Sequence, residues 1–569
     1  MAARALRGVA GAAVLIALIT MVARVVGFGR YLVQSVTLEN GCLNTAYSTA
    51  NYVPNIVFEL VAGGALAGMV VPVLSAAAAD PARRTEAGRT ASALLTWVTV
   101  VLLPLTVLIA VFAEPIVRLL TGPSVPKCET DVVVAVGVEM LRVFAPRMLF
   151  FGLAVVLYGV LQAHRRFLGP ALAPLVSSLL IIGSYLAFLP VASGAQTDLR
   201  ALTKAGELTL SLGATIAAAA MVVTVLGPVR RLGLRWRPTF RFPPGVAVEA
   251  RRLGVAGLAV LIAQQVALIV AIRLANEQAG EGAVPVYNYA WALFQLPYAV
   301  LAVPIGTSAF PALSTKAALG DKPGFSLLAA TTTRAVLLLS GLAAGVMAAV
   351  AIPVSRVFMS DDGGATPEMM AWAVALFAPG LVGYGLLYHL GRVLYSSGHG
   401  RAAATATVTG WVVTVVAQPL LALGASREYV VGALGLGSSL GMTVGGVLIC
   451  LAVRSAHGPA ALGGFGRALA ASVAGLVAGF AGGFAVAWPL GGLGVWGSVA
   501  VALLVGVVSA GLFLGVAFLL DRADVRSALH RLLPRGGPPA EPSDREAAQS
   551  AARPPAAGTG DGGVGGTDG

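Results

Sequence analysis

The segment FAPRMLFFGLAVVLYGVLQ, residues 144–162, has a second copy in the same chain. Residues 377–395 read FAPGLVGYGLLYHLGRVLY, at an offset of 233 residues. Without gaps the copies share the opening Phe-Ala-Pro, a Gly-Leu pair, a leucine and a Val-Leu pair. Each copy is an apolar run that begins at a proline and ends beside basic residues. This similarity predicts that one structural unit occurs twice.

Two further pairs of segments support the repeat. EPIVRLL at residues 114–120 resembles IPVSRVF at residues 352–358, and VPN…VVPVLS at 53–75 resembles LPY…AFPALS at 296–314. All three pairs occur in the same order and at similar offsets, so chance similarity between Gly- and Leu-rich helices is the less favoured explanation. We therefore predict two six-helix copies with the same orientation. Parallel repeats of this kind place a substrate path between the halves.

The composition indicates a membrane protein. Of 569 residues, 57% are hydrophobic and only 11% are charged, whereas soluble proteins have about 25% charged residues. The net charge of +13 would also suit a nucleic-acid-binding protein. That class is excluded because most of the cations lie in short loops between apolar runs. The 70 glycines fit closely packed membrane helices.

The apolar runs predict an all-α polytopic membrane protein with about fourteen transmembrane helices. A membrane-spanning helix needs about 20 mostly apolar residues, and the candidate spans are 10–36, 44–77, 90–113, 132–162, 168–191, 206–228, 253–275, 285–314, 329–352, 369–394, 402–423, 429–453, 467–488 and 494–520. Residues 1–228 form the first repeat, 229–252 a basic linker, and 253–454 the second repeat. Residues 467–520 add helices 13 and 14, and 534–569 read as a disordered tail.

The loop charges predict the orientation. With a cytoplasmic N-terminus, the inside segments hold 25 Lys and Arg residues and the outside loops hold 6. This bias places both termini in the cytoplasm. The first apolar run is longer than a signal-peptide core and contains arginine, so it is expected to stay uncleaved.

Several charged residues fall inside the apolar runs, where charge is expensive and usually faces a cavity or a partner. Helix 1 carries Arg24 and Arg30. The 243-residue offset relates Arg30 to Arg273 in helix 7, which predicts a cationic cavity wall or gate shared by both halves. Snorkelling of Arg273 to the outer headgroups is an equally weighted alternative. In helix 2, Glu59 could neutralise one of the helix 1 arginines, and Asn55 is a further candidate for substrate binding.

Other polar residues favour structural roles. Arg142 and Arg147 lie near the predicted outer end of helix 4, and we expect an i,i+3 pair between Glu139 and Arg142. His389 is more readily explained as a hydrogen-bonded packing residue than as a proton carrier.

The cysteines leave two alternatives open. Cys42 and Cys128 both fall on the outer side, where a disulfide could form, although three unrelated cysteines, with Cys450, are the favoured interpretation. The sequence shows no Walker A motif, no metal-ligand cluster and no Ser/His/Asp arrangement. We therefore predict a transporter that is not an enzyme, with no cofactor and no bound metal. An arginine-lined cavity suits a substrate with phosphate or carboxylate groups.

Four segments resemble the MurJ/MviN family of lipid II flippases, within the MOP exporter superfamily. They are ARVVGFGR (23–30), YVPNIVFELVAGGALAGMVVPVLS (52–75), LQAHRRFLGPALAP (161–174) and YNYAWALFQLPYAVLAVPIGTSAFPALS (287–314). The resemblance covers about residues 10–520. It implies that undecaprenyl-pyrophosphate-linked peptidoglycan precursor is moved across the bacterial cytoplasmic membrane by alternating access. The pyrophosphate would meet the arginine cavity, and the lipid tail would lie in a groove to which helices 13 and 14 contribute. Other cell-wall synthesis proteins are further candidate partners.

The resemblance carries over to some positions only. Arg24 and Arg30 match functional arginines of the family, but two other arginine positions hold Phe58 and Ala292, and an acidic position holds Thr45. No acids in helices 7 or 11 match the sodium site of some members. One hypothesis is that Arg273 replaces a lost arginine. Alternatives are another exporter of the superfamily, either an oligosaccharide-lipid flippase or a multidrug exporter, and a scaffold without transport.

Overall fold

The computed structural model describes residues 2–60, 84–192, 194–234, 236–241, 246–359, 364–490 and 493–522. These residues form helices and connecting loops and contain no strand. The helices are α1 (Ala2–Leu38), α2 (Cys42–Phe58), α3 (Arg84–Val111), α4 (Ala113–Thr121), α5 (Thr130–Phe144), α6 (Arg147–Ala163), α7 (Leu168–Phe188), α8 (Lys204–Arg230), α9 (Val246–Leu274), α10 (Ala283–Pro297), α11 (Val303–Ala318), α12 (Lys322–Ala349), α13 (Ala351–Phe358), α14 (Pro367–Phe377), α15 (Gly380–Ser396), α16 (Gly400–Ala422), α17 (Arg427–His457), α18 (Phe465–Ala487) and α19 (Val495–Leu520).

Predicted helices 3 to 14 each correspond to a helical segment that can cross a membrane. Within the described ranges, eleven segments are long and apolar enough, and a twelfth results if α14 and α15, which are bent by 41°, count as one span. Predicted helix 1 coincides with α1. Predicted helix 2 begins as α2, and its second half lies outside the described residues, as does the tail at 534–569. The total of fourteen therefore stays a prediction.

The two repeats have the same order of elements, which confirms the predicted two-copy architecture. In the first, α3 is followed by the short helix α4, the two-part helix α5–α6, and the long helices α7 and α8. In the second, α12, α13, α14–α15, α16 and α17 follow in that order. The short helices α4 and α13 are the EPIVRLL and IPVSRVF segments. The repeat boundaries given above stay predictions.

The Phe-Ala-Pro motif explains why one helix of each repeat has two parts. In both copies the helix ends at the phenylalanine, Phe144 or Phe377, and the next helix begins directly after the proline. Proline lacks the N–H that would continue the hydrogen-bond ladder, and its ring crowds the preceding turn. This break lies deep in the protein, since Phe144 and Phe377 are fully buried.

Small residues let the helices of the second repeat approach closely. A Cβ on Gly383 of α15 would stand 2.3 Å from the carbonyl oxygen of Met442 in α17. Similarly, a Cβ on Gly441 of α17 would stand 2.4 Å from the carbonyl oxygen of Gly410 in α16. In a membrane, close backbone packing replaces the hydrophobic effect as the main force between helices. These contacts account for part of the high glycine content.

Helices α18 and α19 pack outside the six-helix order, against each other and against α12. Gly475 of α18 faces the ring of Phe513 in α19, where a Cβ would come within 2.8 Å of the ring. The Ser472 hydroxyl in α18 donates to the Leu337 carbonyl oxygen of α12 at 3.0 Å. The two extra helices are therefore attached to the second repeat.

Candidate functional site: a cationic cavity between the repeats

A cavity with two connected lobes lies beside α1 and α2. The first lobe, here called the cationic lobe, has a volume of about 210 Å³ and contains the side chains of Arg30 and Arg147. The second, here called the amide lobe, has a volume of about 610 Å³ and contains Gln264, Gln265 and Gln295 from the second repeat. The lobes share a wall formed by Arg30, Tyr31, Tyr52, Asn55 and Phe58.

Arg30 projects from α1 into both lobes. Its Nη2 donates to the Tyr31 hydroxyl at 3.2 Å, and its guanidinium carbon lies 4.9 Å from the centre of the Tyr31 ring. Arg30 forms no ion pair with an acidic residue of the described ranges. Most of its five N–H donors are therefore free to meet an anion in the cavity.

Arg147 is the second cation of the cationic lobe, and it is only 4% exposed. It is the first residue of α6, so the helix break described above sets the point from which its side chain enters the cavity. Its Nη1 donates to the Asn51 side-chain oxygen, and its guanidinium lies 5.2 Å from the Phe144 ring centre and 5.3 Å from that of Phe151. No acidic residue of the described part pairs with it. Burying such a charge without an acidic partner is expensive.

The sequence analysis placed Arg147 among residues with structural roles, and the structure shows otherwise. It treated Arg142 and Arg147 together because both lie near one end of predicted helix 4. Arg142 does form the predicted pair, with its Nη1 2.5 Å from a Glu139 carboxylate oxygen. Arg147 instead turns inward. One signal was present in the sequence: Arg147 has no acidic residue three or four positions away, whereas Arg142 has one.

Four of the five predicted site residues line the cavity. Arg24, Arg30, Asn55 and Glu59 all contribute to the amide lobe, and Arg30 and Asn55 also contribute to the cationic lobe. Glu59 forms no ion pair with Arg24 or Arg30 in the described part of the chain. The expected neutralisation is therefore absent from this arrangement, although the three side chains share one cavity.

Arg273 is not brought into either lobe. Its Nε lies 2.9 Å from a Glu277 carboxylate oxygen one turn later in the chain, and its Nη1 donates to the Leu119 carbonyl oxygen of α4 at 2.7 Å. It thus connects the end of α9 in the second repeat with the short helix α4 in the first. A role of Arg273 in substrate binding stays a prediction, and this geometry supports a role in joining the repeats.

The repeats are joined by hydrogen bonds at the same end of the molecule as Arg273. The Asn276 amide donates to the Leu120 carbonyl oxygen at 3.0 Å and to the Thr49 hydroxyl at 3.1 Å. The other bonds involve backbone or hydroxyl groups at the ends of helices: Ser35 and Asn40 with Phe358, Gly282 with Thr45, Ala365 with Asn40, and Glu281 with Pro126. These contacts close the cavity at this end.

A disulfide lies at the closed end. Cys42 and Cys128 are joined, with their Cα atoms 5.8 Å apart, so the alternative that the sequence left open is the one adopted. The bond connects the start of α2 to the loop before α5. In that loop, the Pro126 carbonyl oxygen accepts a hydrogen bond at 3.1 Å from the Glu281 amide of the second repeat.

The structure supports the packing interpretation of His389. The imidazole is fully buried, and its Nε2 is 2.9 Å from the Thr332 hydroxyl of α12. It lines neither lobe of the cavity.

A helical membrane protein with two equivalent repeats and a polar cavity between them belongs to the class of alternating-access transporters. The family model described as "Lipid II flippase MurJ" matches residues 35–494. The chain therefore belongs to the lipid II flippase MurJ family, as its sequence motifs indicated.

Relatives of known sequence agree with this membership. The chain is 26% identical over 392 residues to the lipid II flippase MurJ of Burkholderia cenocepacia, a match that covers 66% of this chain and 71% of the relative. It is 29% identical over 245 residues to the probable lipid II flippase MurJ of Synechocystis, covering 42% of this chain and 44% of the relative. The match thus spans less than half the length of the Synechocystis protein.

Solved structures show the same fold at low identity. A structure titled "Lipid II flippase MurJ, inward closed conformation" superposes with a TM-score of 0.68 at 17% identity, covering 89% of this chain and 99% of that one. An inward-facing multidrug resistance MATE family transporter of the MOP superfamily superposes with a TM-score of 0.59 at 15% identity, covering 78% and 98%. The wider fold is therefore that of the superfamily.

Proposed function

We propose that this protein moves lipid II, the undecaprenyl-pyrophosphate-linked peptidoglycan precursor, from the inner to the outer leaflet of the bacterial cytoplasmic membrane. Family membership and the curated relatives support this substrate. The protein acts as a transporter and makes or breaks no covalent bond in the lipid.

The observation that carries the proposal is the pair of arginines in the cationic lobe. Arg30 and Arg147 converge on one cavity, and no carboxylate of the described residues compensates either charge. Guanidinium groups bind phosphate oxygens in bidentate fashion. A pyrophosphate would supply the missing negative charge and accept hydrogen bonds from both side chains.

The closed end of the cavity supports a direction. Loop charges predict that the end with the disulfide and the cross-repeat hydrogen bonds faces outward and that both termini are cytoplasmic. On this orientation the cavity is sealed from the outside and receives the headgroup from the cytoplasmic leaflet. Alternating access then requires the cross-repeat bonds at the closed end to open.

The test is transport by the full-length protein in vesicles. Purified protein is reconstituted with fluorescent lipid II, and the fraction exposed on each leaflet is followed with a membrane-impermeant quencher. Cells depleted of the protein are assayed in parallel for lipid II retained in the inner leaflet. We expect protein-dependent exposure in vesicles and retention of lipid II in depleted cells.

Other outcomes distinguish the alternatives. Transport of a different polyprenyl-linked oligosaccharide without transport of lipid II would assign the protein to another branch of exporters. Efflux of organic cations would indicate a multidrug exporter. If no lipid moves and depleted cells expose lipid II normally, the proposed function is wrong.

A further inference from the structure

The amide lobe is rich in neutral hydrogen-bonding groups. Gln264 and Gln265 are adjacent in α9, and Gln295 lies in α10. Polar side chains within membrane helices are unusual and generally mark a site or a contact between helices. Gln265 is 3% exposed, and its side-chain oxygen has no hydrogen-bond partner within the described structure. This buried acceptor in the cavity wall awaits a donor.

Aromatic side chains form another part of the same wall. Trp291 and Tyr384 line the amide lobe, with their ring centres 6.4 Å apart. Trp291 is held by stacking on Phe294 at 5.3 Å and by contact with Phe377 at 5.9 Å. Because Trp291 and Gln295 are four residues apart, they lie on the same face of α10. A held aromatic surface beside amide groups suits a ligand with both C–H faces and hydroxyl groups.

We infer that the amide lobe is a binding subsite for a saccharide bearing hydroxyl and acetamido groups. Gln264, Gln265 and Gln295 would exchange hydrogen bonds with those groups, and Trp291 and Tyr384 would pack against the sugar rings. This inference rests on the proposed function, and it assigns the first sugars of the lipid II headgroup to this lobe.

The geometry of the two lobes agrees with the order of groups in such a lipid. A saccharide attached to a pyrophosphate must lie next to it, and the two lobes share the wall formed by Arg30, Tyr31, Tyr52, Asn55 and Phe58. The larger volume belongs to the amide lobe, as a saccharide requires. Ala292 also lines this lobe, and its small side chain leaves room where the family pattern has arginine.

The experiment compares the affinities of full-length protein for three lipids: undecaprenyl pyrophosphate, the same lipid carrying the disaccharide without peptide, and lipid II. The variants are Gln264→Leu and Gln295→Leu, which remove hydrogen bonds with little change in size. Gln278→Leu is the matched control, because Gln278 lines neither lobe. Correct folding is checked by thermal stability in detergent.

We expect each glutamine variant to weaken binding of the disaccharide lipid and of lipid II by about tenfold, which corresponds to about 1.4 kcal/mol. Binding of undecaprenyl pyrophosphate should not change, and the control should bind all three lipids normally. If the wild-type protein binds the first two lipids with equal affinity, or if the variants lose all three equally, the saccharide subsite is refuted.

Failure of the proposed function gives a different result. If the wild-type protein binds none of the three lipids, lipid II is not its substrate and the subsite is refuted with it. A loss of affinity seen only with lipid II would assign the lobe to the peptide part of the headgroup and would also overturn the inference.

Discussion

Replacement of Arg147 by methionine tests whether this buried cation is kept for binding. Methionine has a similar length and packs well beside Phe144 and Phe151. A hydrogen bond between a charged group and its partner contributes about 1.5–3 kcal/mol. Loss of one such bond to a pyrophosphate should therefore weaken lipid II binding by about 10- to 150-fold. Arg147→Lys keeps the charge but loses the planar fork, so its affinity should be intermediate.

The stability of the same variant separates binding from folding. Arg147 is 4% exposed and has no acidic partner in the described part of the chain, so removing its charge relieves a desolvation penalty. We expect Arg147→Met to keep or raise the thermal midpoint of the purified protein. Arg142→Gln is the control, because Arg142 forms only an exposed pair with Glu139, and such pairs contribute about 0–1 kcal/mol.

Binding is measured by titration of detergent-solubilised protein with undecaprenyl pyrophosphate, and transport by the vesicle assay. The reasoning is refuted if Arg147→Met binds the lipid as tightly as wild type. It is also refuted if activity falls only in proportion to the amount of folded protein, since the arginine would then serve structure alone.

Three other predictions concern contacts outside the cavity. Arg273→Ala should leave undecaprenyl pyrophosphate affinity unchanged but increase labelling of a cysteine introduced at the closed end, because it removes a bond between the repeats; unchanged labelling with lost affinity would instead place Arg273 at the substrate. Replacing Cys42 and Cys128 by serine removes a cross-link spanning 86 residues and should lower stability by about 2–5 kcal/mol, seen as a lower thermal midpoint that reductant also produces in wild type; equal midpoints would contradict this. Gly383→Val should sharply reduce the yield of folded protein, because its Cβ would meet the Met442 carbonyl oxygen, while Gly29→Ala, which has open space around it, should express normally.

The sequence was sufficient for the features that depend on local composition. Hydropathy located the spans that the structure describes, since each must hide its backbone polar groups within a helix of fixed length. The Phe-Ala-Pro motif marked both the repeat and the helix breaks, because proline ends a helix wherever it occurs in such a context. The spacing of Glu139 and Arg142 predicted their ion pair for the same local reason.

The cavity residues were predicted in part. Arg24, Arg30, Asn55 and Glu59 were expected to form one site because they lie at similar depth in helices 1 and 2, and they do share a cavity. The equivalent position in the second repeat suggested Arg273. That residue lies nearer the end of its helix, where Glu277 and the end of α4 take up its hydrogen bonds.

Sequence position gives the depth of a side chain in the membrane but not the direction in which it points. The direction depends on how each helix is rotated against its neighbours, and that rotation is fixed by packing between segments far apart in the chain. Arg142 and Arg147 are five residues apart, yet one lies at the surface beside Glu139 and the other lies inside beside Asn51. The tertiary structure alone decided this, because the break at Pro146 begins a new helix and turns Arg147 toward the cavity.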